Sequence, residues 1–155
     1  MRMPIALLCL VGFVLPLFAE DAALPFGEGM KEPKDICPGK VFNEPSSVLF
    51  HPERGTLFAV GDEGDLIELK TDGTVLKTAT PGHFDFEGIT LGPDGKLYVG
   101  VECLYDVKGR PSGIFVVDPE TLEVERKMEV DPTLDGKRVF AVREDGGMEG
   151  LCYIP

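Results

Sequence analysis

Residues 46–78 read SSVLFHPERGTLFAVGDEGDLIELKTDGTVLKT, and the chain then starts over. Residues 87–102 read EGITLGPDGKLYVGVE, residues 113–127 read GIFVVDPETLEVERK, and residues 149–155 read EGLCYIP. Each full copy has one order: apolar run, turn, second run, loop, third run, acidic turn, fourth run. Short apolar runs bounded by Gly, Pro and Asp are strand signals, because the turn residues supply the backbone angles of tight reversals and the branched and aromatic residues fill a pleated face. The turn chemistry repeats too, HPERG at 51–55 beside GPDG at 92–95, and KTDG at 70–73 beside DPET at 118–121.

Apolar anchors give the repeat its length. Val48, Leu57, Leu66 and Leu76 lead to Ile89 after a period of 41 residues, and Ile89, Leu97, Ile114 and Val124 lead to Leu151 after 62. The excess of the second period falls in two insertions, Leu104–Ser112 and Asp131–Gly147. Four short strands per roughly 40 residues predict an all-β chain built of four-stranded antiparallel β-propeller blades, one over 46–80, one over 87–128, and the first strand of a third over 148–155. A two-sheet sandwich is the alternative that short strands also allow. Propellers typically close with about four to eight blades, so the expectation is a truncated product or a fragment of a longer protein.

The segment ahead of the repeat has a different character. Met1–Ala19, MRMPIALLCLVGFVLPLFA, carries one charge at Arg2, an apolar stretch interrupted by Gly12 and Pro16, and a small residue before Glu20. That layout predicts a signal peptide cleaved after Ala19, with Ala23 as second choice, and a secreted or periplasmic destination. An uncleaved anchor is the lesser alternative, since the run is shorter than the roughly 20 residues of a spanning helix. Residues 20–45 are rich in Pro, Gly and charge and read as an extended lead-in.

The chain has 15 Lys plus Arg against 27 Asp plus Glu, a formal charge of −12. Such a surface repels nucleic acid and anionic membranes, and both are excluded as partners. Beyond the leader stand Cys37, Cys103 and Cys152, an odd number at spacings unlike a zinc site. The readings are a Cys37 bridge to one of the others or three buried thiols.

In an up-and-down blade the loop after the second strand and the loop into the next blade share a face, so both insertions belong to one side, the usual binding side of a repeat array. The acidic residues collect there. Glu87 and Glu149 each precede the Gly that opens an innermost strand, Asp62, Glu63 and Asp65 follow the second strand, and Glu102 holds the matching place in the next copy. Carboxylates crowded into one space stay wet, take up protons or hold a cation. A hard divalent ion with oxygen ligands fits, Ca²⁺ before Mg²⁺, with Glu87, Glu149, Glu63, Glu102 and Asp62 as candidate ligands. The competing readings are a structural role for the glutamates at the inter-blade turn and a solvated GDEGD loop. His83 lies on the same side and reads as a general base or an ordinary exposed loop residue; His51 sits in a turn on the other side. Lys108 and Arg110 of the first insertion could meet an anionic ligand or simply be solvated.

EPSSVLFHPERGTLFAVGDEGDLIELKTDGTVL, FDFEGITLGPDGKLYV and GGMEGLCYIP together resemble the SdiA-regulated propeller family and the neighbouring esterase-like phytase group. The resemblance covers Glu44 to Pro155 and implies an exported or envelope-associated propeller with a divalent ion near its channel. Gluconolactonase-type propellers are similar in outline, and Glu87-Gly88 matches their first metal ligand. Their Asn ligands have no counterpart here, since the only asparagine is Asn43, ahead of the first blade. Two functions follow: a Ca²⁺-containing module binding a small molecule or protein on its acidic loop face, or a metal-dependent hydrolase of an ester, lactone or phosphomonoester in which the ion polarises an oxygen and His83 or a carboxylate moves the proton.

Overall fold

The computed structural model describes residues 44–104, 111–138 and 147–155. Among them there is no helix. The leader, the lead-in up to Asn43, and Cys37, Lys108 and Arg110 lie outside the described residues.

The first repeat folds as β1 (Pro45–His51), β2 (Thr56–Gly61), β3 (Leu66–Lys70) and β4 (Val75–Ala79). The second gives β5 (Phe86–Leu91), β6 (Leu97–Val101), β7 (Gly113–Val117) and β8 (Val124–Glu129). Each set is one four-stranded antiparallel sheet in chain order, β1-β2-β3-β4 and β5-β6-β7-β8. This is the up-and-down blade that the repeat predicts, and the eight apolar anchors from Val48 to Val124 all fall within strands.

The sheets stack face to face, not edge to edge. Cross-strand partners Leu49, Phe58 and Glu68 share one face of the first sheet, with Val60 and Leu66 beside them. Phe58, Val60 and Leu66 join Phe86, Ile89, Leu97, Val99, Phe115 and Val117 of the second sheet in a single buried cluster. The rings of Phe86 and Phe115 meet edge to face at 5.7 Å, and Phe84 meets Phe115 in the same way at 4.9 Å, a favoured aromatic geometry. The innermost strands β1 and β5 pack on each other, and β5 also touches β2.

The third opening continues the stack. A methyl group on Gly88 would lie 2.5 Å from the Leu151 nitrogen, so only glycine lets residues 148–155 approach β5 this closely. The Tyr153 amide donates to Thr90 Oγ1 at 3.2 Å. Three successive openings, β1, β5 and 148–155, thus lie side by side, although 148–155 forms no strand and has no ladder partner among the described residues.

The missing strand at 148–155 departs from the sequence reading, and three further details differ from it. β5 begins at Phe86, which pairs with Val101, so Glu87 lies inside the strand and does not precede it. The second insertion contains a small hairpin, β9 (Thr133–Leu134) and β10 (Lys137–Arg138), turned by Asp135 and Gly136 at φ 51° and 73°, as a type I′ turn requires. Cys152 is an exposed thiol and Cys103 is half-buried, which removes the reading of three buried thiols. No described helix is long and apolar enough to cross a membrane.

Candidate metal centre

In both sheets the first strand carries a bulge at the same place. Pro45 pairs with Gly61 and Ser47 with Val60, leaving Ser46 as the extra residue; Phe86 pairs with Val101 and Gly88 with Gly100, leaving Glu87. A bulged residue is released from the ladder and its side chain is re-aimed, which is why bulges concentrate beside functional sites. The register makes Glu44, Ser46 and Asp62 of the first repeat equivalent to Asp85, Glu87 and Glu102 of the second. The backbone confirms the match: the Asp62 amide donates to the Glu44 carbonyl at 3.3 Å, and the Glu102 amide donates to the Asp85 carbonyl at 2.9 Å.

The β2-β3 turn brings the two repeats together. Gly64 sits at φ +85°, and a Cβ there would lie 2.0 Å from the Gly82 carbonyl oxygen. The GDEGD turn therefore rests directly on the segment leading into β5. Asp62 at its start, Asp85 before β5 and Glu87 within β5 each offer a carboxylate oxygen, and the three oxygens lie within 4.8 Å of one another. The Ser46 hydroxyl donates to Asp62 Oδ1 and holds that carboxylate in place.

Close packing of acids changes their chemistry. Burial, a hydrogen bond with Glu102 and the charges of Glu87, Glu102 and Asp62 push Asp85 up to about 8. Burial and the charges of Glu149 and Asp62 likewise raise Glu87. With no counter-ion, Asp85 holds a proton at neutral pH. Asp85 Oδ1 is buried and has no hydrogen-bond partner. A buried orphan oxygen among hard carboxylate donors suits Ca²⁺, which takes six to eight oxygens in a flexible shell.

The residues singled out in the sequence separate into groups. Asp62 and Glu87 belong to the converging trio. Glu102 and Glu149 border it, Glu102 by its bond to Asp85 and Glu149 by its charge on Glu87. Glu63 is exposed on the turn and is not in the trio. Asp65 is turned away, accepting the Thr80 hydroxyl at 2.8 Å. His83 is exposed and also outside the trio. His51 is buried at the end of β1, its ring 5.9 Å from that of Phe58. Asp85 was missed, although its signal was present: it stands two residues before the bulged Glu87, as Glu44 stands before Ser46.

No curated protein matches the chain. The SdiA-regulated family does match, over residues 37–155, which covers both sheets, the bulged strands and the third opening; the chain belongs to the SdiA-regulated family.

Proposed function

We propose that this chain is an exported binding module of the propeller type, in which a Ca²⁺ ion held between the first two repeats organises the acidic loop face for a small-molecule or protein ligand. The convergence of Asp62, Asp85 and Glu87 carries this reading, because these oxygens come from both repeats and, among the described residues, no Lys or Arg side chain is paired with them. Ser46 would orient Asp62, while Glu102 and Glu149 supply the surrounding negative field. Mg²⁺ is the lesser candidate, since it demands near-ideal octahedral geometry and gives up its waters reluctantly, whereas Ca²⁺ accepts a flexible shell of carboxylate oxygens. Export rests on the leader-like composition of Met1–Ala19. The hydrolase alternative needs a proton carrier at the ion; His83 stands exposed outside the trio, and the carboxylates of Asp85 and Glu87 are taken up as ligands in this reading.

Calorimetric titration of Ca²⁺ into the full chain tests the site. Asp85→Asn and Glu87→Gln are expected to weaken binding by about tenfold or more, and Glu149→Gln and Glu63→Gln by far less, since only the first two remove an anionic ligand of the ion and Ca²⁺ affinity follows the ligand charge count. Unchanged affinity in both Asp85→Asn and Glu87→Gln overturns the assignment. Hydrolysis of a lactone, aryl ester or phosphomonoester that is lost with chelator would restore the enzyme reading.

A further inference from the structure

We propose that Arg54 is a latch between the two sheets, and that the buried Glu68 sets it. Glu68, in the middle of β3, is only 2% exposed. A carboxylate that deep needs cationic and hydrogen-bonding partners. Arg54, in the β1-β2 turn, donates to it through Nε at 2.9 Å and Nη2 at 3.4 Å, and the Thr56 hydroxyl donates at 2.9 Å. Lys77 of β4 stands 3.8 Å from the other carboxylate oxygen.

With one edge of the guanidinium fixed, Nη1 is left to reach across to Glu120, in the β7-β8 turn of the second sheet, 66 residues further along. Lys77 follows the same path and donates to the Glu120 carbonyl. Both cations that neutralise Glu68 therefore also hold the same residue of the neighbouring sheet. A planar fork already oriented on one side loses little further freedom in making another bond. The latch spans a cleft of about 690 Å³ on the side of the short turns, also lined by His51, Thr56, Gly95 and Pro119. Glu68 and Glu120 share no bond with each other, yet they are coupled through Arg54.

Denaturant unfolding of the full chain in a double-mutant cycle, Arg54→Ala with Glu120→Gln, measures the latch. The expected coupling is about two- to fivefold in the unfolding equilibrium constant, the range of a well-placed exposed pair. The same cycle in a Glu68→Gln background is expected to show none. Arg54→Lys keeps a charge beside Glu68 but lacks the fork, and is expected to leave the fold intact while removing the coupling to residue 120. If Glu68→Gln does not fold, the Arg54→Lys cycle decides. Additive effects at 54 and 120, or coupling that survives either Glu68→Gln or Arg54→Lys, overturn the proposal.

Discussion

Ser46 and Glu87 occupy one position in consecutive repeats: each is the unpaired residue of a bulge in an innermost strand, and each lies beside Asp62. The bulge frees the side chain from the alternation of the strand, so the same backbone device presents a neutral donor in one repeat and an anionic acceptor in the next. Ser46→Ala is expected to release Asp62 and weaken Ca²⁺ binding by about two- to tenfold, the worth of one hydrogen bond to a charged group that a cation also holds. Calorimetry reads the change, and Ser46→Thr, which keeps the hydroxyl, should restore affinity.

The acid cluster also predicts the pH dependence of stability. Asp85 and Glu87 titrate higher in the folded chain than in the unfolded one, so the folded state binds more protons between the ordinary carboxylate range and about 8. Stability therefore falls as pH rises through that window. Melting in the presence of chelator should be lower at pH 8.5 than at pH 5.5, and Ca²⁺ should reverse most of the loss. Asp85→Asn should flatten the chelated profile, because the amide stays neutral throughout.

Glu68 acts in the opposite direction. Burial alone would raise it, but the hydrogen bonds of Arg54 and Thr56 and the charges of Arg54 and Lys77 together hold it below the usual carboxylate range. Its stabilising contribution is complete above the unfolded value and is lost as pH falls through the folded one. Glu68→Gln should thus destabilise the chain at neutral pH and shallow its acid unfolding limb, with no effect on the slope above pH 6. Circular dichroism melts across the two ranges separate the two clusters.

The strands were legible because their signals are local. Val48, Leu57, Leu66 and Leu76 recur at blade spacing, and the Pro-Asp-Gly and Asp-Gly turns demand backbone angles that few other structures use. The site was legible only in part. Asp62 and Glu87 stood out as acids beside strand ends, but their distance depends on how one sheet lies on the other, which no local pattern encodes. Asp85 was passed over because it sits in the loop ahead of Glu87 and gains its character from burial. The bulge itself has no composition rule strong enough to read, and it shows only when Ser46 and Glu87 are compared in register. Glu63 had the right residue type in the right turn, yet it remains exposed, because Gly64 turns the chain toward Gly82 immediately after it.

Gly64 couples the fold to the site most directly, and Gly64→Ala tests that coupling. The residue adopts φ +85°, which L side chains rarely take, and its methyl group would meet the Gly82 carbonyl oxygen and the Phe84 nitrogen, both backbone atoms that cannot swing aside. The substitution should cost more than about 1 kcal/mol in stability, since strain at a positive φ adds to the steric displacement. It should also push the β2-β3 turn off the segment leading into β5, separating Asp62 from Asp85 and Glu87, and so weaken Ca²⁺ binding without removing any ligand. Gly95→Ala provides the comparison, because Gly95 also has a positive φ, +76°, but a Cβ there meets nothing within 4 Å. Equal losses of affinity in the two variants would mean that general destabilisation, not displacement of Asp62, accounts for the effect; a loss confined to Gly64→Ala ties the cation to contact between the repeats.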